Sequence, residues 1–311
     1  MFSYHLSTQD ITIDGLTVSC VEDNVDKNDD LVGYIAKRAW PAANVLSEYF
    51  IWRFNNLPLP HSPCTKKPFR MLELGAGTGL TSLFVGKALL THIQQPTQQP
   101  IEIHVSDLDV AVPLIAQNIA HNFTSDQLAR VSLKALDLNW GAYETTTPSW
   151  IRSLDSSDDG DVDGKEGVQK EDVPPIDLIY ASDVVYFPHL FDLLVQTLVT
   201  CARNGLPERL SEEEGGNVKG RNETKRKQPE IILTCRIRQL EKEEAFYTKL
   251  GKYFHLCPLD DNEWDQGRFW RMYRGEYVMF RCVLRDRVLD SDGSEDFQAM
   301  LQASMDTDLF E

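Results

Sequence analysis

The chain has 311 residues, 42% hydrophobic and 25% charged, enough to bury the core of one large α/β domain or two modest ones. Its net charge of −17 is concentrated: residues 155–172 hold eight acids and two bases, residues 286–311 eight acids and one base, and only −4 remains elsewhere. Without clustered Lys and Arg this excludes nucleic acid as the main partner; no run approaches the roughly 20 apolar residues of a membrane span, and MFSYHLSTQDITIDG lacks the basic-then-apolar order of a signal peptide.

In chain order, residues 4–23 alternate β-branched and polar residues around Asp14-Gly15, which predicts a β-hairpin. A helix is expected over roughly Val32–Phe54, then a proline-rich connector, NNLPLPHSPCTKKP. Next come a strand near Phe69–Leu74, a helix near Leu80–Leu90, a strand near Ile101–Ser106, a helix near Val110–Asn122 and a strand near Val131–Leu136. The series continues with a strand at 176–182, a helix near Leu190–Ala202, a strand at 230–235, a helix near Leu240–Tyr253, and strands near Phe254–Leu256 and Tyr277–Leu284. Such alternation implies a mostly parallel sheet covered on both faces, with its ligand at the carboxyl ends of the strands.

Residues 145–175 and 205–229 lack apolar periodicity and are expected as flexible surface insertions. In the second, KRK at 225–227 reads as a solvated patch in preference to a nuclear-import signal. WDQGRFWRMYRGEY at 264–277 is either a substrate-facing loop or a segment packed on the sheet, and EDFQAMLQASMDTDLF near the end forms a short docked helix, a partner-binding helix or a disordered tail. The organisation expected is a hairpin and helix over 1–60, a core over 61–285 and an acidic tail over 286–311. Six cysteines (Cys20, Cys64, Cys201, Cys235, Cys257 and Cys282) show no metal-like spacing, so reduced thiols are expected and no metal site is encoded.

The chemistry centres on MLELGAGTGL at 71–80. A dinucleotide loop is written G-x-G-x-x-G, whereas here Gly75, Gly77 and Gly79 alternate and Leu80 follows. That spacing suits backbone wrapped closely around a ligand without phosphates, with Glu73 facing an amine rather than repelling an anion.

The segment resembles motif I of the seven-β-strand, S-adenosylmethionine-dependent methyltransferases, E/D-x-G-x-G-x-G, as Glu73 to Gly79. RAWPAANVLSEYF around Trp40, Asn139-Trp140-Gly141, and Asp183-Val184-Val185-Tyr186, which matches a D/E-x-x-Y/F signature, narrow the resemblance to family 16, which includes the non-SET protein-lysine methyltransferases. It runs from about Trp40 to Leu284, outside the two insertions.

The resemblance implies an α/β, Rossmann-like seven-stranded sheet with helices on both faces and S-adenosyl-L-methionine as cofactor. Glu73 then supports the loop and the cofactor's amino-acid end, Gly75, Gly77 and Gly79 let the chain wrap it, and Trp40 belongs to the segment before the loop that is assigned to cofactor binding. Asp107 accepts both ribose hydroxyls, with Asp109 as the weaker candidate or a helix cap. Asp137 meets the adenine amino group, Trp140 packs near the adenine or in the core, and Ala181 and Ser182 pass close by. Asp183 and Tyr186 form the catalytic channel for a lysine amine, unless Asp183 caps the next helix and Tyr186 is core.

Fungal-type enzymes that modify elongation factor 1-alpha look most similar, in DLDVAVPLIAQNI and ASDVVYFPHLFDLL. A cytoplasmic monomer acting on a protein is therefore expected. Methylation of arginine, histidine or a small molecule, and a non-catalytic binding protein of the same fold, stand as alternatives.

Overall fold

The computed structural model describes residues 6–23, 31–57, 68–92, 100–140, 176–204, 228–259, 267–273, 275–289 and 293–305. Nearly all of the two expected insertions, including the KRK at 225–227, lies outside these residues.

Strands β1 (Leu6–Ile13) and β2 (Leu16–Asp23) form an antiparallel hairpin. Its two-residue turn needs positive φ at both positions, and Asp14 and Gly15 supply it at 47° and 80°. The expected single helix over Val32–Phe54 is two, α1 (Leu31–Ala36) and α2 (Pro41–Asn56). Proline fits the first turn of a helix but pushes the preceding residue out of helical geometry. Accordingly Trp40 is extended, with φ −94° and ψ 148°, and the chain turns there.

The core sheet is built from β3 (Phe69–Leu74), β4 (Ile101–Asp107), β5 (Val131–Asp137), β6 (Leu178–Ser182), β7 (Glu230–Arg236), β8 (Phe254–Pro258) and β9 (Tyr277–Leu284). Its order is β5-β4-β3-β6-β7-β9-β8, with only β9 antiparallel to its neighbours. Every residue of β3 is buried, as a central parallel strand covered on both faces requires. Met71 enters the core shared with the hairpin, α2, α3 (Leu80–His92) and α4 (Val112–Asn122). Leu72 and Leu74 point to the opposite core, covered by α6 (Phe191–Asn204), α7 (Leu240–Gly251) and α9 (Ser294–Met305).

A four-residue helix the sequence reading did not anticipate, α5 (Ser125–Leu128), is closed by a reciprocal capping box between Thr124 and Gln127. WDQGRFWRMYRGEY contributes α8 (Arg268–Tyr273), whose Trp270 is buried and whose Phe269 and Trp270 amides donate to Glu48 of α2. Its described part therefore packs against the core. Helix α9 is docked too: Phe297 stacks on Tyr247 at 4.7 Å, and the Arg285 guanidinium pairs with Asp296 at 2.6 Å. Among the described residues, no helix is long and apolar enough to cross a membrane.

Chain order runs outward from β3 to β4 and β5, then returns to β6 on the other flank of β3. Loops leaving β3 and β6 diverge there and leave a crevice at the carboxyl edge of the sheet.

Candidate active site

The glycine loop follows β3. Gly75, Gly77 and Gly79 have φ of 62°, 60° and 80°, conformations that L side chains rarely adopt. Gly75 also has no room for a side chain, and Gly77 has little. A Cβ on Gly75 would lie 2.8 Å from Val184 and 2.9 Å from Trp140, and one on Gly77 would press on the Arg38 carbonyl oxygen at 3.3 Å.

Two buried carboxylates fix the loop. Asp107, at the end of β4, accepts the Gly77 amide on Oδ2 and the Leu108 amide on Oδ1, both at 2.7 Å. Burial raises its pKa to about 6, opposed by those amides. Glu73 lies beneath the loop, fully buried, with Oε2 accepting from the Ser82 amide and hydroxyl while the hydroxyl also meets Tyr180 at 2.7 Å. Burial is again the largest influence and takes Glu73 to about 7. Its Oε1 has no hydrogen-bond partner among the described residues.

Above this floor is a cavity of about 540 Å³, within the usual range for a small-molecule site. Gly75, Gly77, Asp107 and Trp140 line one part, Trp40 and α1 form a wall, and Asp183, Tyr186 and Arg238 line another. Trp40 is fixed by its indole N–H, which donates to the Ile35 carbonyl at 2.9 Å.

Of the residues singled out from sequence, Trp40, Gly75, Gly77, Asp107, Trp140, Asp183 and Tyr186 converge on this cavity. Glu73, Gly79, Asp137 and Ala181 are not among its lining. Gly79 lets the start of α3 lie against Val105 and Ile115, and Ala181 is buried within the sheet. Asp137 is exposed beside Asp107 in the strand register, while Leu138 and Asn139 line the cavity. Asp109 is exposed and does not cap α4, whose N-cap residue is Ala111.

Asp183 has φ 60°, which is uncommon outside glycine. It does not cap the next helix: both carboxylate oxygens take the fork of Arg238, Nη1 to Oδ1 at 2.8 Å and Nη2 to Oδ2. Tyr186 is half-buried on the cavity wall, and burial, then Asp107 and Asp183, push its hydroxyl up to about 12. Sequence reasoning missed the pairing role of Arg238 and the contribution of α1. The signal for α1 was Pro41, which separates LVGYIA from the following helix.

The pocket fits S-adenosyl-L-methionine on its own features: bare positive-φ backbone that a Cβ would obstruct, a buried acid at the loop, and an indole beside an apolar wall. Strand order and site together resemble those of the class I, S-adenosylmethionine-dependent methyltransferases. Within that class the chain resembles family 16: the lysine methyltransferase family model matches residues 21–150. The chain is 24% identical to protein-lysine N-methyltransferase EFM6 of Saccharomyces cerevisiae over 83% of its own length and 85% of that protein. It is 28% identical to protein N-lysine methyltransferase METTL21A of Xenopus tropicalis over 53% of the chain and 54% of that protein. Among solved structures, an O-methyltransferase family protein from Burkholderia thailandensis aligns with TM-score 0.40 and 10% identity, covering 83% of this chain and 59% of that one.

Proposed function

We propose that the chain is an S-adenosylmethionine-dependent protein-lysine N-methyltransferase acting on elongation factor 1-alpha, as a cytoplasmic monomer. The observation that carries the reading is the convergence, in one cavity, of the glycine-loop backbone and Asp107 with Asp183 and Tyr186. When bound, the cofactor supplies an electrophilic methyl group on a positively charged sulfur.

The protein's part is alignment and charge control. Gly75 and Gly77 offer backbone that a ligand can approach, and Asp107 has acceptor capacity beyond its two amide bonds, suited to paired hydroxyls. Trp40 and Trp140 supply apolar surface, and Trp140 suits a purine ring. Glu73 and Gly79 act from below, by holding the loop and the start of α3. Asp137 and Ala181, outside the lining, are assigned to the adenine edge and the cofactor side of β6.

Methylation also requires a neutral amine, and a lysine has an unperturbed pKa near ~10.4. Tyr186 and Phe187, whose rings meet edge-on at 4.8 Å, add aromatic surface to the cavity wall, and an amine desolvated against it would lose that charge more readily. Asp183 is the group assigned to orient the amine.

The test is incubation of the purified chain with methyl-labelled S-adenosylmethionine and an extract of cells lacking it, followed by identification of the labelled residue. The reading expects methyl-lysine in elongation factor 1-alpha. Label in arginine, histidine or a small molecule would replace it with the corresponding alternative.

A further inference from the structure

Asp183 does not face the cavity as a bare carboxylate. Arg238, two residues beyond β7, binds both of its oxygens, and the Asp183 amide donates to the Thr234 carbonyl at 2.8 Å. The Asp183 side chain is 3% exposed and that of Arg238 30%, so the fork reaches inward from the rim of the cavity. Arg238 is itself held: its own amide and that of Gln239 donate to the carboxylate of the buried Glu243 on α7. The Arg238 guanidinium on Asp183 has the parallel two-bond geometry that makes arginine–carboxylate pairs directional.

The charge consequence follows. A lone carboxylate beside a lysine ammonium would favour the protonated amine, which cannot attack. We propose that Arg238 is a positioning residue that sets the charge of the catalytic channel, holding Asp183 in a neutral, oriented pair so that an entering lysine finds no free counter-ion for its ammonium. The inference rests on the lysine-methylation reading above.

Among the described residues, the titratable groups interacting with the pair include Tyr186 from the segment after β6, Cys235 on β7, Glu243 and Tyr247 on α7, and Tyr277 on β9, with Asp107 acting on Tyr186, and Tyr34 and His189 line the same cavity. Burial raises Tyr186, Cys235 and Tyr247, which keeps them uncharged near neutral pH. None of these three supplies a positive charge to replace Arg238.

The test uses the full chain and the variants R238Q, R238K and D183N/R238Q, each first shown to melt cooperatively. One arm compares calorimetric affinities for S-adenosylmethionine and S-adenosylhomocysteine, which differ in the sulfonium charge. R238Q should raise the preference for the charged ligand by roughly three- to tenfold, the scale of one screened unit charge several ångströms away. R238K should stay near wild type, and D183N/R238Q should return toward it. The other arm records the pH dependence of kcat on elongation factor 1-alpha, where the acid limb for R238Q should move up by about one pH unit. A uniform loss of kcat with an unmoved limb, or an unchanged ligand preference in R238Q, overturns the proposal. If elongation factor 1-alpha is not methylated by the wild type, the substrate assignment fails separately, and the ligand-preference arm still decides the role of Arg238.

Discussion

At the scale of residues, Gly77 combines a left-handed backbone with an amide donated to Asp107 and two carbonyl oxygens, of Ala36 and Arg38, facing the place of a Cβ. Gly77→Arg is expected to weaken S-adenosylhomocysteine binding by about 100-fold or more by titration, since strain and displacement both act on the loop. Asp183→Ala should behave in the opposite way: on the channel role proposed for Asp183, methylation is lost while S-adenosylhomocysteine affinity stays within about threefold, because its carboxylate bonds Arg238 and not the loop. Joint loss of both would assign it a structural role.

Glu73 makes a prediction about pH. Its folded pKa of about 7 exceeds the ordinary 4.5, so the folded state holds a proton that the unfolded chain has released between those values. Stability should therefore rise as pH falls from about 7 toward 5, and Asp107, also raised, acts in the same direction below about 6. In Glu73→Gln this rise should shrink by about 1–3 kcal/mol in denaturant titrations across the window. Equal pH slopes in the two proteins would contradict it.

At the scale of elements, the hairpin and the glycine loop are joined through one buried side chain. The Asn118 amide of α4 accepts from the Val21 N–H at 2.8 Å and donates to the carbonyls of Val21 and Thr78, both at 3.0 Å. Asn118→Ala leaves three buried backbone groups without that partner and should cost about 2–4 kcal/mol in urea unfolding, with weaker S-adenosylhomocysteine binding as the loop loosens. An unaltered affinity would show that the hairpin and the loop are not coupled. On the opposite face, Phe297→Ala removes the ring stacked on Tyr247 and should cost about 3–5 kcal/mol without altering ligand affinity.

Elements were legible where local pattern decided them. The Asp14-Gly15 turn, the apolar β3 and the alternating glycines are each specified within a few residues. The break at Pro41 carried a local signal too, but the apolar run on either side suggested one continuous helix. Contacts between distant segments were not legible. Asp183 meets Arg238 across 55 positions, and Glu48 holds Phe269 across 221, and no spacing rule connects such partners before the sheet order is known. For the same reason a loop rich in arginine and aromatics could not be assigned to substrate or packing from composition alone.

At the scale of the whole molecule, the order β5-β4-β3-β6-β7-β9-β8 accounts for where the chemistry sits. Glycine loop, Asp107 and Asp183 leave the carboxyl ends of three neighbouring strands, β3, β4 and β6, so residues 76 positions apart line one cavity. The net charge of −17 says less about the site than its size suggests, since most of it lies in residues 155–172 and 286–311. Within the cavity the charges that matter are few and mutually arranged: Asp107 on the loop amides and Asp183 on Arg238.

The most direct measurement is a calorimetric titration of the purified chain with S-adenosylhomocysteine and, separately, with NAD, repeated on Gly77→Arg. Saturable one-to-one binding of S-adenosylhomocysteine, lost in the variant, with no heat from NAD is the expected result; NAD binding in the absence of any response to S-adenosylhomocysteine would contradict it.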